Sequence, residues 1–121
     1  MSKIYEFNPQ IYPRRVWVTI APDIKDIKER FGDEVEPLDE CADADVQIVQ
    51  QKDPELGGVL IRFVNRKAMT ANVIAHECSH AAIAIFSYCE CKISDDNQEP
   101  FAYLVGWLAG CCEKVKQGKA G

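Results

Sequence analysis

The chain has 121 residues, of which 47% are hydrophobic and 27% are charged, and its formal net charge is -5 at pH 7. This length is typical of one folded domain, and this composition is that of a globular protein and not of a disordered one. The negative charge argues against nucleic acid as the main partner, because phosphate binding needs a basic surface. We therefore predict a single domain spanning residues 1–121.

The apolar stretches and the cysteines indicate the cellular compartment of the protein. Residues 1–6 show neither the basic stretch nor the apolar run of a signal peptide, and the uncharged stretch 100–112 is too short to cross a bilayer. The chain has six cysteines: Cys41, Cys78, Cys89, Cys91, Cys111 and Cys112. Without a secretion signal, we expect reduced thiols that are mostly buried, in a cytoplasmic protein with no membrane partner.

The first third of the chain predicts a strand followed by a short helix. Residues 14–21 alternate branched apolar side chains with others, which is typical of a strand. Asp23 starts a helix and Gly32 ends it. Residues 33–44 are acidic and irregular, which indicates a surface loop.

The middle of the chain predicts a hairpin. Residues 45–51 and 58–65 read as strands, and residues 52–57 between them are rich in turn-forming types. Because the connection is short, we expect the two strands to pair antiparallel.

The last part of the chain predicts two helices. Thr70 is a good N-cap for a helix over residues 71–86, and Asp95 or Asp96 can cap a second helix over residues 98–116. The order of strand, helix, hairpin, helix and helix predicts an α+β fold. We expect a small, mainly antiparallel sheet packed against the last two helices.

Residues 76–80 read His-Glu-Cys-Ser-His, an HExxH motif inside the first of these helices. Side chains four residues apart project from one face of a helix, so His76 and His80 can bind one metal ion together. Zinc suits two neutral imidazoles. Glu77 is turned by about 100° from His76, so it can flank the metal and accept a proton from bound water without being a ligand.

The specificity of this motif is raised by the rest of the sequence. The chain has two histidines, and both lie in the motif. The alternative is a surface helix on which two histidines merely face solvent or pack against neighbours.

Two histidines need a third ligand. The metzincin pattern would require Gly at position 83 and His at position 86, where this chain has Ile83 and Phe86. The remaining candidates are the downstream carboxylates of Glu90, Asp95, Asp96, Glu99 and Glu113. Glu99 is favoured because it begins the last predicted helix, whose first turn comes back towards the metal if that helix returns alongside the motif.

The two segments together resemble the gluzincin metallopeptidases, in which HExxH is followed by a glutamate ligand on a second helix. Here the second segment reads Asn-Gln-Glu-Pro-Phe-Ala-Tyr over residues 97–103. The resemblance covers roughly residues 45–112 and implies a minimal zincin-like domain in which His76, His80 and Glu99 bind zinc and Glu77 is the general base. More loosely, the chain is similar to the small HExxH peptidases of phage and mobile-element origin, including the ImmA/IrrE type.

The resemblance also implies a place for the substrate. The strand from Val59 to Val64 would be the sheet edge beside an extended peptide or protein substrate. Larger gluzincins often carry an aspartate one turn after the ligand glutamate, where this chain has Tyr103. We expect Tyr103 to orient a ligand or to donate to the developing oxyanion, unless it simply packs between helices.

Two readings compete with a zinc peptidase. One is a non-catalytic module that binds zinc for structure, or that binds a partner protein along its sheet edge. The other is an interaction domain in which the motif is fortuitous. Water in the fourth metal position would favour catalysis, whereas a protein side chain there would favour a structural site.

Overall fold

The computed structural model describes residues 2–119. Within that range the chain forms four strands and three α-helices. In chain order these are β1 (Ile4–Phe7), β2 (Arg15–Ile20), α1 (Ile24–Phe31), β3 (Ala44–Gln51), β4 (Leu56–Phe63), α2 (Ala71–Tyr88) and α3 (Gln98–Lys116). Among these residues no helix combines the length and the apolar character that a membrane crossing requires.

The strands form one sheet in the order β1-β2-β4-β3. The pairs β1–β2 and β3–β4 are antiparallel, whereas β2 and β4 run parallel. Parallel neighbours need a long connection, which α1 and β3 supply here. The prediction of an α+β fold with a small, mainly antiparallel sheet is confirmed, and so is the hairpin.

The strand from Val59 to Val64 is not an edge. Most of it lies in β4, which pairs with β2 on one side and with β3 on the other. Its side chains from Val59 to Phe63 are buried, as expected of an interior strand that is covered on both faces. The prediction that a peptide lies beside this strand is therefore wrong. The edge strand next to α2 is β3.

Different helices cover the two faces of the sheet. On one face α1 packs against a cluster that includes Trp17 and Leu60. On the other face α2 packs over β3 and β4, and α3 packs over β2. Trp107 of α3 also meets Phe7 of β1, with the ring centroids 6.4 Å apart. Consequently α2 lies towards the β3 edge and α3 towards the β1 edge. Side chains of the two helices are therefore placed near different edges of the sheet.

The helix starts were predicted in part. Thr70 is an N-cap as expected, and Asp23, which was expected at the start of the first helix, is an N-cap too; each side chain accepts a hydrogen bond from a backbone N–H two or three residues ahead. The prediction for the last helix is wrong, because its N-cap is Asn97 and not Asp95 or Asp96. The Asn97 side chain instead donates to the carbonyl of residue 92, which holds the preceding loop.

The six cysteines differ in exposure. All six are free thiols. Cys41 and Cys91 are exposed, Cys89 is half-buried, and Cys78, Cys111 and Cys112 are buried, so burial, expected for most of the cysteines, is found for half of them. Burial raises the pKa of Cys111 to about 12. A hydrogen bond with Cys78, together with burial, also raises the pKa of Cys112.

We expect native protein treated with N-ethylmaleimide at neutral pH to label at Cys41 and Cys91 first. The buried thiols are inaccessible, and a thiol with a raised pKa supplies little of the reactive thiolate. Peptide mapping by mass spectrometry measures the sites, and labelling of all six cysteines in denaturant is the control. Rapid native labelling of Cys78 or Cys112 would contradict the packing of α2 against α3.

Candidate metal centre

His76 and His80 lie one turn apart on the exposed side of α2. Their rings meet edge to face, with centroids 4.8 Å apart and an interplanar angle of 76°. The two Nε2 atoms are 3.2 Å apart. The predicted convergence of this pair from one helix face is therefore present in the structure.

The distance between the two nitrogens fits a shared zinc ion. Two Zn–N bonds of about 2.0–2.1 Å at a tetrahedral angle place their nitrogens about 3.3 Å apart. The same separation also fits a hydrogen bond between one protonated and one unprotonated ring nitrogen. The separation of the two nitrogens is therefore compatible with a shared metal ion, and the neighbouring residues bear on what chemistry such an ion would support.

Glu77 is buried, unlike the two histidines of the motif. Its side chain points to the groove that the histidines line, and the residue is 8% exposed. Burial raises the pKa of its carboxyl group, while the neighbouring His76 and His80 act in the opposite direction and Asp45 adds to the rise. A carboxylate whose proton affinity is raised, next to two imidazoles, is suited to accept a proton from water.

The groove lies between α2 and the edge strand β3. Its central cavity of about 460 Å³ is bounded on the helix side by the motif and by Ala84, and on the strand side by residues that include Val46 and Ile48. Ile48 is 71% exposed although it is apolar. Within residues 2–119 β3 pairs on one side, with β4, so its other side is open along the groove.

Glu99 lies on the other flank of α2. Cys78, about 200° around the helix from His76, is 3.7 Å from Cys112 of α3 between sulfur atoms. The helix that carries Glu99 therefore packs on the side of α2 that faces away from His76. Along the axis, Phe101 packs against Phe86, which is about 9 Å beyond His80.

These positions mean that the structure does not bring Glu99 to the histidines. In the part of the chain that the structure describes, no three His, Cys, Asp or Glu side chains are grouped so that they could hold one metal ion. Glu99 itself is exposed in the first turn of α3. Its role as third ligand stays a prediction, which the metal-binding experiment below tests.

Tyr103 is not at the histidine pair either. It is 74% exposed on α3 and lines an apolar cavity with Ile11 and Trp107 among others. That cavity belongs to the β1 side of the molecule. Cys78 is buried against α3, as expected of a core residue and not of a ligand.

The residues that reasoning from the sequence missed lie in β3 and just before it. Val46 and Ile48 line the groove, and Asp43 lines its continuation beside His76. The signal that was available is the alternation of the polar Asp45 and Gln47 with Val46 and Ile48, which a strand covered on both faces would lack.

The chain was also compared with known proteins. Searches against protein-family models, curated proteins and solved structures give no match in any of the three comparisons. The function proposed below is therefore inferred from the chemistry of the groove.

Proposed function

We propose that this chain is a zinc-dependent hydrolase of peptide bonds, with His76 and His80 as metal ligands and Glu77 as general base. The observation that carries the proposal is the 3.2 Å separation of the two Nε2 atoms, with the buried Glu77 beside them in an open groove. The third ligand predicted from the gluzincin resemblance is Glu99. Six free thiols accord with a cytoplasmic site of action.

A bound zinc ion supplies Lewis acidity and lowers the pKa of coordinated water. Glu77 accepts the proton that the attacking water loses and passes it to the leaving amine. The burial that raises the pKa of Glu77 strengthens this carboxylate as a base. No comparable role is assigned to Tyr103, because it lies in the apolar cavity on the β1 side.

The peptide substrate lies along β3 in this proposal. An extended segment added at the open side of this strand forms main-chain hydrogen bonds, and its scissile bond passes below the histidine pair. The apolar side chains of Val46 and Ile48 border that path.

Metal content is the first test. We expect wild-type protein supplied with zinc to retain about one ion per chain after desalting, and His80→Ala to lose it because one of two paired imidazoles is gone. Glu99→Ala loses or weakens zinc binding if Glu99 is the third ligand. Inductively coupled plasma mass spectrometry measures the content.

A control variant and the alternative outcomes complete the zinc-content test. The matched control is Glu113→Ala, which removes an exposed carboxylate elsewhere on α3. Zinc that is lost in His80→Ala and kept in Glu99→Ala retains the histidine site and refutes Glu99 as a ligand. Wild-type protein that binds no zinc refutes the metal centre.

A non-catalytic zinc-binding module is the second candidate. The observation that favours it is the open side of β3, where the apolar Ile48 is 71% exposed and available to a partner. Such a module could bind a partner protein along β3 without cleaving it. Stoichiometric zinc together with no turnover of any peptide would support this candidate over the peptidase.

A further inference from the structure

The groove continues from the histidine pair towards the end of α2. Ile48 and Ala84 border the central cavity, and the next residues on the same faces, Gln50 and Tyr88, border a second cavity of about 640 Å³. Side chains on one face of a strand repeat every two residues and those on one face of a helix about every four, so the second cavity follows the first along the same faces of β3 and α2. An extended chain that passes the histidines therefore reaches the second cavity.

Arg14 is held in this second cavity by its neighbours. Its guanidinium carbon lies 4.0 Å from the centroid of the Tyr88 ring. Its Nη1 atom lies over Gly57 of β4, at a position where a Cβ on that residue would collide with it. Gln50 Oε1 lies over the same glycine, 2.9 Å from the Cβ position. The absence of a side chain at Gly57 thus lets Arg14 extend from the start of β2 across β4 to the groove.

The charge of Arg14 is available to a ligand. None of the three ion pairs found among residues 2–119 includes Arg14, whereas the adjacent Arg15 pairs with Glu6 at 3.2 Å. Glu55 also lines this cavity and is its acidic group. At the opposite end of the groove the acidic residues are Asp43 and Glu77. The groove therefore has the positive charge of Arg14, unpaired within the described residues, near Tyr88 and acidic groups near the start of β3.

We propose that Arg14 binds a carboxylate of the substrate, so that the site prefers peptides with an acidic group three to four residues from the cleaved bond. This inference rests on the proposed peptidase function. Tyr88 is eight residues beyond His80, which is about 12 Å along the helix. At about 3.3 Å per residue an extended peptide covers that distance in three to four residues. A planar guanidinium can bind a carboxylate through two parallel hydrogen bonds.

The test uses otherwise uncharged decapeptides in which one Glu is moved along the sequence, with Gln and Lys counterparts. We expect about tenfold higher kcat/KM when Glu lies three to four residues from the cleaved bond, on one side of it. Arg14→Gln should abolish this preference, and Gly57→Ala should weaken it by displacing the guanidinium. The control Lys25→Gln removes one positive charge from α1, on the other face of the sheet.

Amidation of the peptide C-terminus distinguishes two possible sources of the carboxylate, an acidic side chain and the chain terminus. If the ligand is an acidic side chain, the preference for Glu over Gln is the same in peptides with a free and with an amidated C-terminus; if the chain terminus binds, amidation lowers the cleavage of the Glu and Gln peptides alike. Equal cleavage of the Glu and Gln peptides by wild-type protein would overturn the proposal. So would a preference that persists in Arg14→Gln.

Binding separates this inference from the proposed activity. Fluorescence polarisation with labelled versions of the same peptides and zinc-treated Glu77→Gln protein measures recognition without cleavage. A Glu preference that depends on Arg14, in a wild-type protein that cleaves nothing, supports the carboxylate site and refutes the peptidase. Cleavage without such a preference supports the peptidase and refutes the carboxylate site. Failure to bind or to cleave any of these peptides refutes both.

Discussion

Glu77→Gln is expected to reduce peptide hydrolysis by about 10²- to 10⁴-fold while zinc stays bound. The substitution keeps the size of the side chain but removes the group that accepts the water proton. His76 and His80 are unchanged, so the metal content should match that of the wild type. Discontinuous assays with peptide substrates measure the rate, and the same samples give the zinc content.

Without bound metal, the fold of this variant should be at least as stable as that of the wild type. Burial raises the pKa of Glu77, so the folded state favours its protonated form. That contribution is present at low pH and is lost as the pH rises through the folded-state pKa, so at neutral pH the ionised carboxylate opposes folding. A neutral glutamine removes this cost. A thermal midpoint at or above the wild-type value would therefore assign lost activity to chemistry and not to unfolding.

The control for this experiment is Glu113→Gln, the same chemical change on the exposed side of α3. It should hydrolyse peptides at the wild-type rate. Unchanged hydrolysis by Glu77→Gln, in preparations where the control and the wild type agree, would refute Glu77 as the base. Loss of zinc from Glu77→Gln alone would instead make Glu77 part of the metal site.

Most of the fold could be predicted because the signals are local. The caps Asp23 and Thr70 act on N–H groups in the next turn, and the hairpin follows from the turn residues between two apolar runs. The strand β1 was missed because it has four residues, none of them fully buried. The continuous apolar run from Val59 to Ile61 already indicated a strand that is buried on both faces, and such a strand lies in the interior of a sheet. The prediction of an edge strand did not use this signal.

The candidate site also has a part that the sequence predicts and a part that depends on tertiary packing. His76, Glu77 and His80 belong to one helix, so their relation follows from its period of 3.6 residues. The position of Glu99 depends on the flank of α2 against which α3 packs, which is a tertiary choice. The expectation that Cys78 is a core residue already implied the answer, because its offset from His76 places that core on the far side of α2.

Asp45→Ala is expected to lower the free energy of unfolding by about 3 kcal/mol, because it leaves the charge of Arg62 buried and unpaired. The Arg62 side chain is 1% exposed, and its Nε and Nη2 atoms donate to the two carboxylate oxygens of Asp45 at 2.8 and 2.6 Å. Its Nη1 donates to the carbonyl of Glu36, which remains. The value is at the lower end of the range for a buried pair because Asp45 is partly exposed. Urea unfolding followed by circular dichroism measures it.

The decisive comparison is the double variant Asp45→Ala, Arg62→Met. If Asp45→Ala is destabilising because Arg62 stays buried without a counter-ion, then also replacing Arg62 by Met should recover part of the lost free energy of unfolding. A double variant no more stable than Asp45→Ala would refute this explanation. Because this ion pair joins the edge strand β3 to β4 and Asp45 itself lines the groove, Asp45→Ala should also weaken peptide binding along the groove.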